Sequence, residues 1–178
     1  MNIPDSSMRQ RLLTRLAEHD ANGREQRAER VEWLALHEVR PPAVMGRTES
    51  LHLLSEAREV FIDGHFAATL LVALSFIEHT MVEELQDMGH VTGSPTFSEA
   101  LTISAAKLSF PADWLVRAKT LSLRRNPFVH LKPDDHKHGI GVRVREEKRH
   151  PKKILEEDAK DSIDLMYNFF QATLRPGA

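Results

Sequence analysis

The stretch from His65 to Met88 limits this chain most. Ala67, Leu71, Leu74, Val82 and Leu85 recur at helical spacing, and Phe66 to Ile77 is apolar on nearly every face. A helix that is apolar all round must be enclosed by others, so this segment is expected to be the central member of a bundle. Glu78 breaks the pattern. It lies on the same stripe as Leu74 and Val82, where a carboxylate needs a cationic partner or a proton. Arg125 and His130 are candidate partners, as is an unrelated Arg or Lys.

The remaining apolar patterns place helices around this one. Ser6 or Ser7 is positioned to cap a helix to about His19, with Asn22-Gly23 ending it and a second helix following from Arg24 to Glu38. Arg40-Pro41-Pro42 breaks the chain, and Ala43 to Arg47 reads as a linker. Residues 1–47 are therefore expected to form an N-terminal helical extension, and residues 48–178 the bundle itself. Thr48 or Ser50 is expected to cap a helix to Asp63, with Leu51, Leu54, Ala57, Val60 and Phe61 inward and Gly64 at its left-handed end. Thr96 or Ser98 opens a shorter helix to Leu108, and Pro111 a longer one whose stripe is Trp114, Ala118 and Leu121. The final helix spans Ile154 to Leu174, with Leu155, Ala159, Ile163, Met166 and Phe170 toward the core. Between Gly139 and Arg145, Ile140, Val142 and Val144 alternate with Gly and Arg, a period that predicts a short strand or hairpin. The expected fold is all-α, an antiparallel helical bundle with a basic loop or hairpin inserted before its last helix.

The next position on the Trp114–Leu121 stripe is Arg125, and Asn126-Pro127 follows directly. Proline has no N–H to give the carbonyl of Leu123 and biases Asn126 away from helical geometry, so the helix is predicted to break here. Asn126 and Pro127 also suit the start of a new turn holding Phe128 to His130. In that arrangement Arg125 and His130 flank a helix N-terminus, a favourable place for a phosphate. A kinked helix whose Arg and His meet carboxylates fits the same residues.

Arg125-Asn126-x-x-x-His130, late in a helical chain, resembles the R-x4-6-H signature of the HEPN superfamily, with Asn126 as its polar residue after the arginine. Glu56-Ala57-Arg58, Gly64-His65-Phe66-Ala67-Ala68 and Ser75-Phe76-Ile77-Glu78 resemble the first two core helices of that superfamily. The likeness covers about Glu49 to Leu174. It implies a homodimer with a shared cleft, and metal-independent cleavage of single-stranded RNA without a cofactor. His130 would be general acid or base, Arg125 the phosphate holder and Asn126 the residue that orients them. Arg124, Lys132, Lys137, Arg143 and Arg145 would contact the RNA backbone, with Glu78 in support. A toxin or defence role with an antitoxin partner belongs to the same expectation. A non-catalytic module of the same fold, binding RNA, a nucleotide or another protein, is the alternative.

Charge supports either reading. Residues 117–153 hold 12 Lys and Arg against 4 Asp and Glu, a net of +8, although the whole chain carries only −2. A polyanion-binding surface and a solvated basic loop both have this signature. His130, His136 and His138 with Asp134 or Asp135 form a possible metal set. No cysteine is present, which excludes disulfides and thiolate sites. The chain also lacks a phosphate-cradling glycine loop and a Gly-x-Ser-x-Gly nucleophile turn. Trp33, Trp114 and Tyr167 are scattered, as structural residues are. Met1-Asn2-Ile3-Pro4-Asp5 does not read as a signal peptide, and the apolar run to Ile77 is too short for a bilayer, so a cytoplasmic protein without membrane contact is expected.

Overall fold

The computed structural model describes residues 6–37 and 47–174. These fold into seven helices: α1 Ser6–Ala35, α2 Thr48–Ile62, α3 Phe66–Asp87, α4 Phe97–Lys107, α5 Ala112–Val129, α6 Ile140–Glu147 and α7 Pro151–Thr173. No strand occurs among the described residues. The chain divides into two compact units, Met1–Leu36 and His37–Ala178. The expected Arg40-Pro41-Pro42 break, and the linker as far as residue 46, lie outside the described residues.

The first unit is one helix rather than the expected pair. Asn22-Gly23 does not end it, because the glycine is used for its missing side chain. Arg27 folds back so that its Nη2 donates to the Asp20 carbonyl at 2.8 Å. A Cβ on Gly23 would lie 2.8 Å from the Arg27 guanidinium. That local contact opposes the penalty of roughly 0.5–1 kcal/mol for glycine inside a helix.

In the second unit α3 is central, packing against α2, α4, α5 and α7. Phe66, Leu70, Ala73, Leu74, Ile77, Met81 and Leu85 form its buried face. This differs from the expected stripe: Ala67, Leu71, Glu78 and Val82 lie at the edge, half-buried. α3 is also long and apolar enough to span a bilayer by length and composition, contrary to the run-length estimate. Its enclosure by four helices accounts for that apolarity.

Local chemistry sets the ends. Gly64 has φ +80°, and Gly64 and His65 donate back to the carbonyls of Phe61 and Val60. This closing motif needs a left-handed residue and turns α2 into α3. α2 itself starts without a side-chain cap, since Ser50 instead donates to Glu83 at 2.5 Å. Thr96 and Glu99 cap α4 reciprocally. His150 caps α7, its Nδ1 accepting from the Lys152 N–H at 3.2 Å with Pro151 as first helical residue. The ring of Phe169 on α7 lies 4.7 Å from Phe110 and 5.6 Å from Trp114, which fixes the start of α5 against α7.

Two sequence expectations fail in the segment before α7. The alternating Ile140–Arg145 stretch is helix α6, not a hairpin: no strand stands beside it to satisfy a ladder, and the helix bonds its own backbone. The second failure is at Pro127, which α5 passes through without ending. Ile77 is fully buried at the centre of the bundle. Replacing it with alanine should cost about 2–5 kcal/mol of unfolding free energy, read by urea denaturation as a lower midpoint with an unchanged slope.

Candidate functional site

Arg125 leaves the last turns of α5 toward α3 and α4. Its Nη1 lies 3.8 Å from Oε2 of Glu78, one of the pairings the sequence left open. Its guanidinium carbon sits 5.5 Å from the centre of the Phe97 ring, in the first turn of α4. The Thr96–Glu99 cap fixes that turn, so a local backbone motif places the aromatic face under the cation. The side chain is only 17 % exposed, and its Nε is buried with no hydrogen-bond partner. A buried donor left unmade costs roughly 1–3 kcal/mol.

His130 is exposed at the far end of the same helix. It is the C-terminal cap of α5, with φ −128° and ψ 131°, and its N–H donates to the Asn126 carbonyl at 2.9 Å. This corrects the expectation that Asn126-Pro127 begins a helix. The backbone around His130 belongs to a helix C-terminus and presents carbonyls, so any phosphate here must be held by side chains. Five residues of α-helix separate Arg125 and His130 by about 7.5 Å along the axis and about 140° around it. Asn126 lies between them, half-buried.

The neighbouring arginine has a different role. Arg124 Nη1 donates to Oδ1 of Asp158 at 2.8 Å, and Arg143 from α6 donates to both oxygens of the same carboxylate at 2.5 and 3.0 Å. Asp158 is 1 % exposed. Two arginines therefore neutralise one enclosed anion and tie α5 and α6 to α7. Burial tends to lower the pKa of Arg143, but hydrogen bonds and charge from Asp158 and Glu147 outweigh it and raise the pKa. Arg117 likewise reaches Asp161 at 2.5 Å and Asp164 at 2.6 Å, and Arg149 pairs with Glu157. Four arginines of the basic block are thus turned toward α7. Of the expected RNA contacts, Arg124 and Arg143 are committed to Asp158, whereas Lys137 and Arg145 are exposed and Lys132 half-buried.

Asp158 was missed in the sequence. The available signal was an acid in line with Ile154 and Ser162 at four-residue spacing, both buried. Glu78 also lines an open cleft of about 580 Å³ with Arg47, Glu49, His79 and Glu83. Its carboxylates make it a poor channel for a polyanion.

The His136 and His138 rings lie 5.8 Å apart. The His138 N–H donates to Nδ1 of His136 at 3.3 Å, and His138 Nε2 is buried without a partner. Among the described residues no group of three or more His, Asp or Glu is arranged to hold a metal ion, so His130, His136, His138, Asp134 and Asp135 do not form the set envisaged. Comparison with family models, curated proteins and solved structures returns no match to the chain.

Two measurements follow from these contacts. Asp158→Ala leaves two guanidiniums facing each other without their shared anion, and should destabilise the fold by roughly 3–5 kcal/mol in denaturant titration. Burial pushes the His138 pKa down from the ordinary histidine value, helped by the positive charges of Lys137, His136, Arg124 and Arg143. Between the folded and unfolded values the unfolded chain binds more protons. The stability contributed is therefore full above the ordinary histidine pKa and is lost as pH falls toward the folded value. An NMR titration should show the His138 ring protonating below the ordinary histidine range.

Proposed function

We propose that the chain is a HEPN-like, metal-independent endoribonuclease acting on single-stranded RNA, with Arg125, Asn126 and His130 as its working residues. The observation that carries this reading is the Arg125 guanidinium. It is aligned by Glu78 and Phe97 yet keeps one buried N–H unused, and an exposed imidazole ends the same helix. A planar guanidinium suits a phosphate whose charge grows in the transition state.

In the proposed reaction His130 takes the proton of the ribose 2′-hydroxyl. The freed oxygen attacks the adjacent phosphorus, and the bond to the 5′ oxygen breaks. The leaving oxygen gains a proton from His130 or its counterpart in a second copy, giving a 2′,3′-cyclic phosphate and a 5′-hydroxyl. An imidazole titrates near neutral pH and serves in either direction. Asn126 orients the pair, and Lys132, Lys137 and Arg145 hold the flanking backbone in salt-sensitive contacts. Arg124 and Arg143 contribute through the clamp on Asp158.

The angular separation of Arg125 and His130 favours a composite site completed by a second copy. Phe128, Val129 and Leu131 are exposed beside the motif, Leu131 fully so, and provide apolar surface for that contact. In this reading the protein is a homodimer within a toxin or defence system. The second reading is a non-catalytic RNA-, nucleotide- or protein-binding module, favoured by the internal commitment of Arg124 and Arg143.

Purified protein incubated with single-stranded RNA in EDTA distinguishes the two. Cleavage yielding cyclic-phosphate ends is expected, and His130→Ala should abolish it while leaving helix content and melting temperature unchanged. Full activity in that variant would remove His130 from the chemistry, and intact RNA with the wild-type chain would favour the binding module.

A further inference from the structure

The N-terminal half of α1 has an apolar face flanked by arginines that nothing in the bundle chemistry uses. At 100° per residue Met8, Leu12 and Leu16 fall within about 80° of arc, and Leu13 widens it to about 140°. Each is 48–59 % exposed. The same line continues down the helix through Gly23, Arg30 and Leu34. The first three turns leave this face exposed.

Charge selects the occupant. Arg9 falls inside the arc and Arg15 at its edge, with Arg11 beyond, and no acidic residue lies between Ser6 and Ala17. Arg11 is held at the top of the helix by its bonds to Ser7. A second copy of α1 fits poorly, because pairing the leucines in either direction sets arginine against arginine. A lipid surface fits poorly too: the face has no aromatic residue and runs directly into Glu18 and Asp20.

We infer that the exposed Met8–Leu16 face of α1 docks an amphipathic helix of another protein, one with aliphatic residues at helical spacing and carboxylates along both flanks. Leucines interleave along the seam while the acids meet Arg9, Arg11 and Arg15. The inference is independent of the chemistry proposed for Arg125 and His130.

The test uses the full chain and two fluorescent peptides of about 20 residues with identical leucine stripes, one flanked by Glu and one by Lys. The Glu peptide should bind at least about tenfold more tightly than the Lys peptide, and more weakly as salt rises. Leu12→Glu with Leu16→Glu should reduce its affinity about tenfold or more without changing the melting temperature. Arg9→Glu with Arg11→Glu and Arg15→Glu should reverse the preference between peptides, a result that altered folding cannot mimic. Four results would overturn the inference: equal binding of both peptides; no binding of either; self-association lost on Leu12→Glu; or Leu12-dependent binding to phosphatidylglycerol vesicles in place of the Glu peptide.

Discussion

The carboxylate of Asp158 is the contact on which the C-terminal part of this protein depends. It is almost wholly enclosed, and two guanidiniums from different helices meet on it. A lone buried anion would be expelled or protonated, and two guanidiniums held this close without it would repel. Together they satisfy one another only if α5, α6 and α7 arrive in one arrangement. The clamp therefore acts as a register device. It holds the end of α5 in place, and the next residue after its first arginine is Arg125.

From there the site follows by adjacency. Arg124 faces α7 and Arg125 faces α3 and α4, so consecutive residues at the end of one helix are anchored to different neighbours. Glu78 and Phe97 come from elements fixed independently, Glu78 by the packed face of α3 and Phe97 by the reciprocal cap of α4. His130, by contrast, projects from the helix end into solvent. Rigid cation and accessible imidazole are the combination that the proposed RNA chemistry uses.

Much of this was legible in the residue pattern, for physical reasons that can be named. Gly64 signalled its turn because only glycine adopts the required φ without strain. Thr96 and Glu99 have the spacing of a capping box, and Glu78 on an apolar stripe pointed to a cation such as Arg125. Other features were hidden because a local rule lost to a tertiary one. The alternation at Ile140–Arg145 imitates a strand, but no neighbouring strand exists to pair with it, whereas Arg143 in a helix reaches Asp158. Asn22-Gly23 imitates a helix end, but Arg27 needs the space that Gly23 leaves. The +8 block fitted a polyanion surface and a solvated basic loop alike, because the sequence does not show which way arginines point; four of them point to the acids of α7.

Pro127 leaves the carbonyl of Leu123 without the donor an unbroken helix would supply. The final turn of α5 is accordingly tethered by fewer bonds than the turns before it, one of them the His130 N–H to Asn126. Arg125 is held from outside that turn, by side chains of α3 and α4. The imidazole thus stands beyond a turn with one backbone bond fewer, while the guanidinium is anchored by its neighbours on α3 and α4.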